Sequence, residues 1–328
     1  MYKFLFFLSL FLTLFSCKQN DGQKILPPST GRFNELLVVI PQSDWDGDIG
    51  FALKEVLTRE VLGLPQPEPQ FSIIRIEPKL YNGLLERTRN VLLVNIDSNL
   101  NFKIDKNTHA SPQVIIQING NKEEIIENIK ENADKIIASF KNSDMASLRT
   151  KPAFPIISTS NITFFLKQKF EFNIPNNFKK INDSNDFLWY RNETYNPGVD
   201  INGSMNLIAY SLPLDYSFDQ VKDSIVSIRD MIGKKNIPGP LKDTYLITEA
   251  AYTPHVFDIK IGNYQAYKIL GKWEIKDYFM AGPFVSYFVN DKLHNRLIVV
   301  EGFVYAPSVN KRDYMFELEA IIGTLKID

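Results

Sequence analysis

A single cysteine, Cys17, stands in a chain of 328 residues. Everything after it must fold without disulfide staples, thiolate metal ligands or a cysteine nucleophile, so burial of apolar surface has to hold the fold together. The material for that is present: 44% of the residues are hydrophobic and 12% aromatic. The length is also about twice a typical domain of roughly 150 residues, so two globular domains are expected. Lys and Arg number 37 against 38 Asp and Glu, a formal net charge of -1. Such a balance provides no global field to draw in nucleic acid by counterion release, and no nucleic-acid partner is expected.

The position of the cysteine is as informative as its solitude. Met1 to Lys3 is a minimal positive start, and Phe4 to Phe15 is almost wholly apolar. As a helix this run is about 18 Å long, too short for a bilayer core of about 30 Å. It ends Leu14-Phe15-Ser16-Cys17, which resembles the bacterial lipobox: a leucine three before the cysteine, a small residue just before it, then the cysteine that is acylated. Phe15 is bulkier than the residue usual there. The alternative is an ordinary secretory signal with Cys17 incidental, and it leaves unexplained why the sole cysteine falls where a thioether to diacylglycerol forms. Several acyl chains, palmitate among them, anchor durably at about 0.8 kcal/mol per buried CH2. Residues 1–16 are therefore read as a lipoprotein signal peptide and 17–30 as a flexible tether, stiffened by Pro27-Pro28. Asp21 is the only acidic residue in the Lys18 to Thr30 segment after the cysteine, which favours an outer-membrane position facing the periplasm over surface exposure.

Within the body, Glu35 to Ile40 and Val91 to Ile96 are continuous apolar runs that suit neighbouring strands buried on two faces. Between them Ile49, Leu53, Val56, Leu57 and Val61 recur at helical spacing and stop at Gly63. Prolines alternate through Gly63 to Pro69, which makes this segment an extended connector into a strand at Phe71 to Ile76. A strand at Gln113 to Ile118 leads into a helix opened by Asn121 and Glu124 in a capping-box pattern, with a stripe running to Phe140. The α/β domain is placed at 31–150, with its boundary in Met145 to Pro155. Residues 151–328 read as many antiparallel strands, the first at Glu171 to Ile174. Two helices break the series, one starting at Ser217 and one closing the chain through Tyr314, Leu318, Ile321, Ile322 and Leu325. The fold class expected is α+β, an N-terminal α/β layer followed by an antiparallel α+β sandwich loosely similar to the PsbP/Mog-like fold.

Several segments together carry a family resemblance. They are Gly31-Arg32 with Asn34 to Val39, Trp45 with Gly47 and Gly50, Gly63 to Pro69, Arg89 to Leu92, Phe187 to Trp189, Ile228-Arg229-Asp230, Ile237 to Pro240, Gly282 to Ser286, Glu301 to Pro307, and Lys311-Arg312. The chain resembles a family of Bacteroidota-type lipoproteins, the domain of unknown function numbered 4837. The resemblance implies an envelope lipoprotein and carries no catalytic residue to transfer.

Familiar chemistry is scarce. His109, His255 and His294 are far apart, and neither a paired-histidine zinc motif, a serine-hydrolase elbow nor a phosphate-binding glycine loop is present. No cofactor is expected. Asp44, Asp46, Asp48 and Glu55 fall at positions 1, 3, 5 and 12 of a calcium-loop spacing, but Ile49 stands where position 6 needs glycine. The simpler reading is a helix start whose carboxylates meet the positive dipole end. Glu301 shares a strand face with Leu297, Val299, Phe303 and Tyr305. It is either a structural partner of a cation such as Arg229 or a catalytic acid. Trp45, Trp189 and Trp273 are core residues or a stacking platform. The expectation is a lipid-anchored binding or assembly module, attached to the membrane through its lipid, with an envelope protein or glycan as partner. The alternatives are an envelope hydrolase using Glu301 and a glycan-binding accessory of an uptake system.

Overall fold

A computed structural model describes residues 25–194 and 203–327. Residues 1–16, read above as a signal peptide, Cys17 and most of the segment read as a tether lie outside the described residues.

The two apolar runs become β1 (Glu35–Val39) and β3 (Asn90–Ile96), which pair in parallel, and β2 (Ser72–Ile76) and β5 (Val114–Gly120) extend the parallel sheet on either side. An antiparallel strand, β4 (Asn101–Lys106), closes the edge beyond β5, giving the order β2-β1-β3-β5-β4. Its alternation of Phe102 and Ile104 with Lys103 and Asp105 is that of a half-buried edge, a weaker signal than a continuous apolar run. Helix α1 (Gln42–Trp45) is a single turn, and α2 (Asp48–Leu57) follows. The Asn121–Glu124 capping box opens α3 (Lys122–Glu131), and α4 (Ala133–Thr150) continues after a break at Asn132. Because α4 runs to Thr150, Met145 to Thr150 is helix and the prolines of the following segment end it, not the charged residues before them. Helices α2, α3 and α4 pack on one sheet face around Leu36, Val38, Leu92 and Ile116. Leu37, Val39, Val91 and Ile115 on the other face are met by Tyr81, from the irregular segment 77–89.

The second sheet is antiparallel. Its strands are β7 (Lys179–Asp183), β8 (Phe187–Thr194), β9 (Gly203–Pro213), β10 (Leu246–Thr248), β11 (His255–Ile261), β12 (Tyr264–Ile275), β13 (Tyr278–Asp291) and β14 (Arg296–Tyr305). The order is β10-β12-β13-β14-β9-β8-β7, with β11 also on β12. The sheet is covered on both faces. Helix α6 (Val221–Asn236), entered through the Ser217–Gln220 capping box, buries Ile225, Ile228 and Ile232 on one side. On the other, α5 (Thr163–Gln168) and α7 (Arg312–Ile322) bury Phe164, Phe165, Leu318 and Ile322. Leu325 lies beyond the end of α7. The strand expected at Glu171 to Ile174 is only β6 (Phe170–Glu171), paired with β15 (Lys326–Ile327). Phe172 and Ile174 contribute to the core from irregular backbone instead. The fold is α+β. Among the described residues no helix is long and apolar enough to cross a membrane.

Candidate functional site

The proline-rich connector builds the junction between the two sheets. Gly63 has φ +82, a left-handed conformation, and a Cβ there would stand 3.0 Å from Leu270 Cβ of β12. Only glycine suits both demands. The extended backbone after it buries Leu64 in the core of the second sheet. It also brings Glu68, 5% exposed, to the start of α7, where its carboxylate accepts from the backbone N–H of Lys311 at 2.7 Å and Arg312 at 2.9 Å. A segment of the first half thereby caps a helix of the second, with the negative charge at the positive dipole end.

Between the halves lies a cleft of about 590 Å3. Helix α4 presents Lys141, Met145 and Arg149 to it, spaced four apart and so on one helix face, and α7 presents Arg312, Met315, Phe316 and Glu319. Leu62, Leu64 and Leu270 complete the apolar wall. Lys141 Nζ donates to Asn34 Oδ1 and to the Gln70 carbonyl, both at 2.7 Å, and lies 4.9 Å from the Phe71 ring centre and 5.2 Å from that of Phe316. Both hydrogen-bond acceptors are neutral. Burial, reinforced by the facing charge of Arg312, pulls the Lys141 pKa down to about 7, while Asp313, Asp144 and Glu319 oppose the fall.

Asn34, fully buried with φ 58, ties this corner together. Its Nδ2 donates to Asp313 Oδ1 and its backbone N–H to Asp144 Oδ2, each at 2.9 Å. Asp144 also accepts from Asn90 Nδ2 at 2.9 Å and from Arg89 at 3.2 Å. Burial nevertheless raises its pKa, with those hydrogen bonds acting against the rise. Arg312 reaches Asp313, the Pro69 carbonyl and Ser72 Oγ. Lys268 pairs with Glu319, which also accepts from Tyr287 Oη at 3.3 Å. Arg149 makes no ion pair or hydrogen bond among the described residues, and its guanidinium lies over Gly323 at the end of α7.

The side chains singled out in the sequence lie elsewhere. Glu301, fully buried on β14, takes a bidentate grip from Arg229 Nε and Nη2 on α6 at 2.8 to 3.1 Å. Arg229 gives Nη1 to Thr248 Oγ1 and stacks 3.7 Å over Phe284. Its geometry is that of a core ion pair. Asp48 is held by Lys122 and Asp46 accepts from Gln42 Nε2 at 2.7 Å. The calcium-loop spacing fails because Asp44 to Glu55 is mostly helix, which puts Glu55 about 10 Å along the axis from Asp48. Among the described residues no group of three or more His, Cys, Asp or Glu side chains is placed to hold a metal ion. Trp189 and Trp273 are buried, donating to Asn206 and to the Val304 carbonyl, and Trp45 sits half-buried under Lys54. His255 meets Tyr252 and His294 meets Asp291, in separate places. The cleft cations escaped the sequence reading because a lysine beside an apolar stripe looks like a solvated helix face; Lys311-Arg312 in the resemblance was the signal for Arg312 on α7.

Comparison with known proteins divides the chain in two. The family profile described as Domain of unknown function (DUF4837) matches residues 159–324, half of the chain, and that described as Domain of unknown function (DUF8532) matches residues 29–152. No curated protein matches. Among solved structures, the Saccharomyces cerevisiae Ran-binding protein Mog1p is 9% identical over 48% of this chain and 90% of its own, with TM-score 0.31. PA94 of Pseudomonas aeruginosa, of unknown function, is 12% identical over 48% and 90%, with TM-score 0.27. LpqN, involved in cell envelope biogenesis of Mycobacterium tuberculosis, is 12% identical over 48% and 83%, with TM-score 0.27.

Proposed function

We propose that this chain, which belongs to the family of the domain of unknown function DUF4837, is a lipoprotein of the bacterial cell envelope, held by acyl chains on Cys17, whose two-part body is a binding module. The observation that carries the reading is the placement of the sole cysteine directly after an apolar run too short to span a bilayer. The body adds support: the cleft is large enough for a small ligand and sets Lys141, Arg149, Lys268 and Arg312 beside an apolar wall. The envelope-hydrolase reading loses its acid, because Glu301 is locked to Arg229 in the core. A stacking platform for glycan loses Trp189 and Trp273, which the core takes up.

The test is metabolic labelling with an alkyne fatty acid, followed by membrane fractionation. The wild-type chain should take up label and sediment with membranes, facing the periplasm by protease protection, and Cys17→Ser should lose the label. Label retained on Cys17→Ser would end the lipoprotein reading.

A further inference from the structure

The cleft's charges are unbalanced in a way that identifies what it receives. Of its four cations, Lys268 is matched by Glu319 and Arg312 by Asp313. Lys141 has only neutral acceptors, and Arg149 has no partner among the described residues. Lys141 and Arg312 face one another across the packed helices α4 and α7, and their mutual repulsion, opposed by Asp313, Asp144 and Glu319, adds to burial in disfavouring the Lys141 ammonium. Beside them run Met145, Leu270, Phe316 and Leu62, an apolar surface with no internal use for that charge. A group that enters must satisfy both features.

We propose that the cleft binds an organic anion with an apolar portion: a carboxylate or phosphate monoester seated between Lys141 and Arg312, its chain lying along Met145, Leu270 and Phe316 toward Arg149 at the rim. This rests on the reading of the body as a binding module and names the ligand class. The anion replaces neutral acceptors with a charge-assisted pair, which is the stronger interaction in a half-buried setting. It also changes protonation. The groups that face Lys141 are Arg312, Asp313 and Glu319 from α7, Asp144 from its own helix, and the neutral Asn34 and Gln70 from the segments before β1 and β2. A further negative charge there favours the ammonium, so binding above neutral pH takes up a proton.

The probe is octanoate, titrated calorimetrically into the full-length protein in lipid nanodiscs with empty nanodiscs subtracted. Octan-1-ol, which has the chain without the charge, and inorganic phosphate, which has the charge without the chain, serve as controls. Octanoate should saturate at one site and bind at least about tenfold more tightly than either control, the loss expected when a charge-assisted contact or the apolar burial is missing. Its affinity should fall as pH rises from 6 to 9, and Lys141→Met should weaken it about tenfold and flatten that dependence. Since Lys141→Met removes buried hydrogen bonds and can unsettle the fold, Arg149→Glu, at an exposed rim position, gives a second measure and should weaken binding without a change in melting temperature. Absence of saturable octanoate binding, equal binding of octan-1-ol, or indifference to both substitutions would overturn the inference. Anchoring is read separately: octanoate binding with membrane attachment unchanged in Cys17→Ser sinks the lipoprotein reading alone, and the reverse sinks the ligand assignment alone.

Discussion

The two sheets bury charge in opposite ways. In the antiparallel half, covered on both faces, Arg229 and Glu301 cancel each other inside the core, and neither side chain lines the cleft. In the parallel half, whose helices all lie on one face, the buried polar groups Asn34, Asn90 and Asp144 gather at the edge that meets the other half, and Lys141 is left with neutral partners. A closed pair makes structure. An open one, at a junction with an adjoining cavity, makes a place for something else, and that difference puts the candidate site at the junction and not at the most deeply buried acid.

Breaking the closed pair should produce the largest effect. Glu301→Ala leaves the Arg229 charge buried alone and should cost about 3–5 kcal/mol in denaturant unfolding, whereas Arg229→Met combined with Glu301→Leu should recover most of it. A Glu301→Ala protein within about 1 kcal/mol of wild type would mean that the pair is not the sealed unit its geometry implies. Next comes Phe140→Ala in the parallel half, where a fully buried ring packs edge-on against Phe71; about 3–5 kcal/mol is expected. With Leu64 in the second core and Glu68 capping α7, both substitutions should shift one cooperative melting transition. Two separate transitions would show that the halves contrast in chemistry yet are not welded.

The open site has its own pH signature. Lys141 titrates near 7 when folded and near 10.4 when unfolded, so between those values the unfolded chain binds more protons. Stability should therefore rise as pH increases from about 7 toward 10, and a Lys141→Met protein should lack that component of the melting-temperature profile. An identical pH profile in the variant would remove the contrast. The smallest effects should come from the two capping boxes. Asn121→Ala in one half and Ser217→Ala in the other should each cost about 1 kcal/mol, because caps act locally whatever sheet their helix covers.

Much of the fold was legible where a local pattern and a burial demand coincide. The continuous apolar runs gave β1 and β3 as neighbouring strands, the Asn121–Glu124 capping box sits where its spacing placed it, and the second half's first long helix is entered at Ser217 as expected. Strands β4 and β7 were missed because edge strands carry polar residues on one face, and β6 came out short because its apolar residues serve the core without pairing. Outside the candidate site Glu301 was legible, because its apolar strand companions betray it as either paired or reactive. Lys141 and Arg149 were illegible, since a cation two turns along a helix from another reads as solvated face until a second helix is seen against it.

By itself, then, the sequence determined the class of fold, the absence of thiol chemistry after Cys17 and the helix starts, since each follows from residue type, spacing or backbone preference within a short window. Only the tertiary structure decided that Arg229 is the partner of Glu301, that Glu68 caps a helix far along the chain, and that Lys141 faces Arg312 across a cleft. Those outcomes depend on distances between groups remote in sequence, and the electrostatics that give them meaning fall off over a few ångströms.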